Sequence, residues 1–372
     1  STLHNHLGTS YPGPVHGIET RRSERKVGEK HMRFVIYGAG GVGGTIGARL
    51  FQQGYDVQLI ARGAHGDALI SHGLKFVAPD GEFELQIPTV THPGEIQFQA
   101  GDMVLFTMKS QHTLGALNDL SEANPGDIGV VSCQNGVANE RMALRFFPRV
   151  YGMLVNLPAV HLVPGEVVTH GAGKGAILDT GCFPRGTDDR LFELTESLSR
   201  AGFSAEPDPA IMRKKYAKLL MNVGNSLQAA TQPDVPDPDN LREIPPERLD
   251  VARMLRMETL ACYAAADIDC ASAEEVRARH KNVYQMVELA GRPRTGGSSW
   301  QSIVRGTGNI ESDYLNGEIV QLGRLHGVPT PANRVCQQLG HRMIRESLPV
   351  GHFRSKDVKK MVEAAGGVFP ES

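Results

Sequence analysis

The C-terminal half of the sequence holds a lysine in a setting suited to proton transfer. Lys218, Asn222 and Ser226 recur at every fourth position among Leu219, Leu220, Met221, Val223 and Leu227. On a helix they form one polar stripe on an apolar body. Burial of such a lysine disfavours its charged form and lowers its pKa toward the range in which it can act as a general acid. Reduction of a carbonyl calls for such a group, because the oxygen that gains negative charge needs a nearby cation and a proton. No histidine has a comparable local context. Periodicity leaves a solvated helix face equally open, and Lys214 and Lys215 support that alternative for the first turns. Glu311 falls on a line with Leu315, Ile319 and Leu322, the expected core face of a second helix. There it pairs with Lys218 or a substrate hydroxyl, or it is a first-turn acid behind an Asn309 cap, where the helix dipole favours it.

A second constellation points to a nucleotide. Gly38-Ala39-Gly40-Gly41-Val42-Gly43 is G-x-G-x-x-G, between a short β-branched and aromatic run (33–37) and a helical segment (45–53). Gly38 allows a tight turn, Gly40 lets the backbone approach a pyrophosphate, and Gly43 lets helix and strand pack closely. With Val42 and Gly41 they place a helix N-terminus against the phosphates. In this strand–turn–helix context the motif predicts a dinucleotide site. An NAD-binding fold ordinarily ends its second strand on an acid. Here that strand (57–60) runs into Ala61-Arg62, and Asp56 lies at its opposite end. Arg62 is either an exposed loop arginine or the partner of a 2′-phosphate, which makes the expected cofactor NADP(H). Two further segments follow strands, where open α/β sheets bind ligands: Lys109-Ser-Gln-His112 and Cys133-Gln-Asn135-Gly136. Each could also be an ordinary polar loop.

The elements that must position these residues alternate. Strands at 33–37, 57–60, 75–77, 103–107 and 128–132, with helical segments between, predict an α/β Rossmann domain with a parallel sheet covered on both faces. Short strands over 151–178, turned at Pro164-Gly165, suggest a mixed or antiparallel edge. After the breaker Glu206-Pro-Asp-Pro209 the strand signals fade. Helices are expected at 209–230 as one long rod, then 247–266, 272–289, 300–304, 310–326 and 332–347. The predicted organisation is a flexible extension (1–31), a Rossmann domain (32–207), an all-α domain (208–347) and a polar, weakly structured tail (348–372) with one short helix near 359–365.

The 372 residues are 40% hydrophobic and 22% charged, with a formal net charge of −2. That balance gives no reason to expect nucleic acid or an anionic membrane as partner. No apolar run approaches the roughly 20 residues a spanning helix needs. Cys133, Cys182, Cys262, Cys270 and Cys336 are scattered and lack zinc-ligand spacing. Free thiols in a reducing cytoplasm account for them, and no metal is expected.

The chain resembles the ketopantoate reductases. Gly38-Ala-Gly-Gly-Val-Gly43, Thr107-Met-Lys109, Gln134-Asn-Gly136, Lys218-Leu-Leu-Met-Asn222, Ser298-Ser299 and Glu311-Ser-Asp-Tyr-Leu-Asn-Gly317 occur in that family's order and approximate spacing, from Met32 to about Asn333. The resemblance implies a Rossmann domain joined to a helical domain like that of 6-phosphogluconate dehydrogenase, with the active site in the cleft between them. It implies NADPH-dependent reduction of a small 2-oxo acid, 2-dehydropantoate, with Lys218 as general acid and Glu311 holding a substrate hydroxyl. Asn135, Asn222, Ser226 and Ser299 would contact substrate; Arg62, Lys109 and Asn135 would contact NADPH. A homodimer through the helical domain is a further expectation. Three features depart from the family. Ser226 stands where a second asparagine is common, with Asn225 one residue early. Trp300-Gln-Ser-Ile303 lacks an acid often found after the substrate serine. The first 31 residues have no counterpart. Reduction of another 2-oxo acid is the nearest alternative. A non-catalytic NADP(H) sensor would need neither Lys218 nor Glu311.

Overall fold

The computed structural model describes residues 32–123, 125–232, 244–292, 298–304, 306 and 310–369. The first strand, β1 (Phe34–Tyr37), is wholly buried and runs through the glycine turn into α1 (Gly41–Gln52). Then come β2 (Val57–Ile60), α2 (Gly63–His72), a hairpin of β3 (Leu74–Ala78) and β4 (Gly81–Leu85), β5 (Thr89–Val90) and β6 (Met103–Phe106). Next are α3 (Thr113–Glu122), β7 (Gly129–Ser132), α4 (Asn139–Ala143) and β8 (Val150–Met153). The stretch ends with β9 (Ala159–Val160), β10 (Glu166–Thr169), β11 (Gly171–Gly173), β12 (Thr180–Cys182) and α5 (Asp189–Arg200).

The main sheet has the order β12-β8-β7-β6-β1-β2-β5. It is parallel except for β12, an edge strand that pairs antiparallel with β8 and lies just beyond the 151–178 stretch in which such an edge is expected. Strand β1 lies between β2 and β6 in parallel register, so the chain reverses direction across the sheet at β1, beside the glycine turn. The expected third parallel strand, 75–77, is elsewhere. It is β3 of a second sheet, ordered β4-β3-β10-β9, and the two-residue β5 takes its place beside β2. Helix α1 packs on β1 and β2 of one sheet and on β3, β9 and β10 of the other, which explains why so much of it is buried.

The helical region comprises α6 (Ile211–Asn222), α7 (Asn225–Thr231), α8 (Pro246–Ala265), α9 (Ala273–His280), a three-residue strand β13 (Tyr284–Met286), α10 (Ser298–Val304), α11 (Asn316–His326), α12 (Pro331–Arg345) and α13 (Ser355–Ala364). Three expectations need correction. The long rod over 209–230 is two helices, because the chain breaks at Val223-Gly224 and the freed Val223 carbonyl accepts from Asn316 Nδ2 at 2.8 Å. The domain is not purely helical: β13 replaces the second half of the expected helix 272–289 and pairs antiparallel with β11. The tail belongs to the core, since Val350, Phe353, Val358 and Val362 are buried and α13 packs on α8 and α12. Asn309, the expected cap, lies outside the described residues.

Helix α8 organises this region. Its Glu258 accepts the backbone N–H groups of Ala332 and Asn333 at 2.8 and 2.9 Å, together with Asn333 Nδ2 at 2.8 Å. A carboxylate on one helix thus caps the N-terminus of α12, where the dipole favours negative charge. All five cysteines are free. Among the described residues no helix is long and apolar enough to cross a membrane.

Candidate active site

The glycine turn is held by residues from neighbouring strands. Gly38 adopts φ +105°, and its N–H donates to the Ile60 carbonyl at 2.9 Å. Thr107, just past β6, donates its hydroxyl to the carbonyls of Gly38 and Tyr37. A side chain at Gly43 would run into the Gly38 carbonyl, Thr107 Oγ1 and Ile36, so no other residue fits there without displacing backbone. Gly40 caps α1 without a side chain, which leaves the first helical N–H groups turned toward the loop. Gly41 and Val42 form the first turn. These features fit a dinucleotide pyrophosphate, whose anionic oxygens take backbone N–H groups at a helix N-terminus.

Lys218 is half-buried on α6, and its Nζ donates to the Val155 carbonyl. Burial, and after it the charge of Lys215, pulls its pKa down to about 7, with the Glu311 carboxylate acting the other way. It lines a small cavity of about 40 Å³ with Leu154, Asn156, Met221, Val276 and His280. Asn156 Nδ2 donates to His280 Nε2 at 2.7 Å.

Lys215 does not support a solvated face. Its ammonium is buried, ion-paired with the buried Glu140 and donating to the Gln134 carbonyl at 3.1 Å. Lys214 pairs with Asp179 and Asp208 at 2.8 Å each. The first turns of α6 therefore face the Rossmann domain rather than water.

Glu311 immediately precedes a short 3-10 turn (Ser312–Tyr314) ahead of α11 rather than lying on the core face of that helix. Its carboxylate accepts Ser110 N at 2.9 Å, Ser110 Oγ at 3.0 Å and Lys109 Nζ at 3.2 Å. Lys109 is thus brought to Glu311, and the contact joins the two regions where β6 ends. A carboxylate has about four acceptor positions, so capacity remains for a further donor.

The other expected residues are placed unevenly. Asn135 is half-buried, and its carbonyl accepts from Asn139 Nδ2 at 3.2 Å. Asn222 Nδ2 and Ser226 Oγ are buried without a hydrogen-bond partner among the described residues. Ser299 is buried on α10, which packs against α7 and hence against the helix of Ser226. Asn225 is the first residue of α7. Arg62 is more than half exposed and paired with Asp119. Buried polar atoms are almost always paired, so the orphaned amide and hydroxyl on α6 and α7 suit a polar ligand beside Lys218. The sequence reading missed Ser110, Glu140, Lys215 and His280. Nothing near them in sequence names their partners, although Ser110 lay inside a segment already singled out.

A parallel sheet with a glycine loop at its reversal point, followed by a helical region, defines a protein of the Rossmann dinucleotide-binding class. Two family models match in tandem. The N-terminal model, ketopantoate reductase PanE/ApbA, covers residues 34–180, and its C-terminal companion covers 210–343. The chain belongs to the ketopantoate reductase family. It is 28% identical over 312 residues to 2-dehydropantoate 2-reductase of Pyrococcus horikoshii, covering 81% of this chain and 94% of that protein. A crystal structure of a PanE/ApbA family ketopantoate reductase from Ralstonia eutropha JMP134 superposes with TM-score 0.70 at 28% identity, covering 85% and 99% of the two chains. A D-mandelate dehydrogenase complexed with NADH and anilino(oxo)acetate shares the fold with TM-score 0.71 at 22% identity, over 85% and 99%.

Proposed function

We propose that this chain reduces the ketone of 2-dehydropantoate to pantoate with NADPH, using Lys218 as the general acid. The observation that carries the reading is Lys218 itself: a lysine with its pKa lowered to about 7, lining a cavity, with the unpartnered Asn222 Nδ2 one turn further on and the unpartnered Ser226 Oγ on the helix that follows. When bound, the dihydronicotinamide supplies the hydride. Gly38, Gly40, Gly41, Val42 and Gly43 would hold the pyrophosphate, Arg62 the 2′-phosphate, and Lys109 and Asn135 the nicotinamide half.

Lys218 holds a proton at Nζ and delivers it to the carbonyl oxygen as charge develops there. Asn135, Asn222, Ser226 and Ser299 orient the oxo acid, and Glu311 accepts a hydrogen bond from its hydroxyl while bound to Ser110 and Lys109. Two features favour another branched 2-oxo acid as the alternative: Ser226 in place of an asparagine, and the apolar side chains of Leu154, Met221 and Val276 beside Lys218 in the cavity. The proposed boundaries, 32–207 and 208 onward, place Lys218 on the first helix beyond the Rossmann domain. A homodimer through the helical domain is consistent with Leu249, Met257 and Leu260 exposed along α8; sedimentation velocity checks it, and a monomer at micromolar concentration excludes it.

The test is NADPH oxidation over a panel of 2-oxo acids. The highest kcat/KM is expected for 2-dehydropantoate. A higher value for another branched acid would select the alternative, and no turnover with any member would sink the enzymatic reading in favour of a sensor.

A further inference from the structure

Strand β2 ends at Ile60, and Arg62 caps α2 two residues later. Its guanidinium is already engaged. Nη2 donates to Asp119 Oδ2 at 2.6 Å and to Tyr37 Oη at 2.8 Å. The same Asp119 oxygen accepts from Tyr37 Oη at 3.2 Å, and His92 Nε2 stands 3.8 Å away. Tyr37 is buried and directly precedes the glycine turn, whereas Arg62 and Asp119 reach the surface. An acid at the end of the second strand is the usual partner of a ribose 2′-hydroxyl in NAD-binding folds. Residues 57–62 contain none. Here α3 delivers a carboxylate, Asp119, to Arg62 just beyond the end of that strand.

We infer that Asp119 sets the choice between the two nicotinamide dinucleotides, accepting the 2′-hydroxyl of NADH and competing with the 2′-phosphate of NADPH for Arg62, so that the chain takes both cofactors. This inference rests on the cofactor reading above and gives its adenosine end a second determinant. Partial burial pushes the Asp119 carboxyl up, but the hydrogen bond and charge of Arg62 outweigh it and hold the group below the ordinary carboxylate range. Asp119 is therefore ionised at neutral pH and can only accept hydrogen bonds. A hydroxyl satisfies it. A 2′-phosphate brings like charge to it, and must draw Arg62 away from Asp119 or share the guanidinium with it. Such a half-exposed pair adds little to folding, so its removal registers in binding.

The experiment measures equilibrium binding of NADPH and of NADH to the full chain by nucleotide fluorescence, for the wild type and for D119N, D119A and R62Q. In the aspartate variants NADPH should bind more tightly and NADH more weakly, raising the NADPH preference about tenfold or more, the usual effect of one charge-assisted hydrogen bond. R62Q should lower that preference. Two aspartate variants are used so that misfolding of one leaves the other to decide. An unchanged or reduced preference in the folded variants, with both nucleotides still bound, overturns the role of Asp119 alone. A wild type that binds neither nucleotide overturns the cofactor reading and this inference together.

Discussion

At the scale of single residues the proposed chemistry turns on the charge of Lys218. Burial and the neighbouring Lys215 lower its pKa to about 7, and Glu311 raises it. Reduction requires the protonated form, so kcat for reduction should fall as pH rises through about 7. Lys218→Ala should lower kcat by about 10²–10⁴-fold while nucleotide binding stays near wild type, and it should abolish that alkaline limb. Glu311→Gln removes the charge that holds the proton and should move the limb to lower pH. Steady-state pH profiles of the three proteins test this; wild-type kcat in Lys218→Ala would pass the role of acid to Lys109 or a bound water. Lys218 was legible because its own neighbours are apolar and its polar companions recur at helical spacing. Lys215 was not, because its partner Glu140 lies in another domain and a local stretch of charges reads as solvated.

At the scale of elements, the glycine turn was fully legible and most of its surroundings were not. A strand, G-x-G-x-x-G and a helix specify the local geometry, down to the contact of Gly43 with the Gly38 carbonyl and Thr107. Gly43→Ala should therefore cost about 1–3 kcal/mol, as overpacking does, and weaken nucleotide binding, since the backbone it meets cannot rotate aside. Denaturant unfolding and fluorescence titration measure both, and an alanine variant indistinguishable from wild type would show that the loop relaxes freely. Periodicity reports whether a segment is a strand and not which sheet it joins, so it does not separate β3 from the main sheet. A lone glycine in a helical pattern is often tolerated, so the break at Gly224 was unmarked; what makes it a break is Asn316, which takes the freed Val223 carbonyl. In α13 the lysines and Glu363 hid Val358 and Val362, spaced to face one side.

At the scale of the whole molecule, one buried carboxylate ties the Rossmann domain to two helices that line the Lys218 cavity. Asp179 precedes β12 and its side chain is fully buried. It accepts Arg279 of α9 at 2.6 and 2.8 Å, Lys214 of α6 at 2.8 Å and the Glu206 backbone at 3.1 Å. Burial pushes its carboxyl up, but Arg279 and Lys214 outweigh burial and hold it below the usual range. A carboxyl depressed in the folded state contributes stability at pH values above its unfolded pKa, near 4, and that contribution is lost as pH falls through the lower folded value. Asp179→Asn keeps the shape and leaves Lys214 and Arg279 only their more exposed partners, Asp208 and Glu206. Breaking a buried pair from one side costs about 3–5 kcal/mol. The variant should lose stability of that order at pH 7, with a gap to wild type that narrows steadily below pH 4. Because α6 carries Lys218 and α9 carries His280, kcat should fall with it even where the variant remains folded. Urea unfolding at pH 7 and at pH 3 reads the stability term, and a gap that is the same at both pH values would mean that Asp179 acts through packing rather than charge.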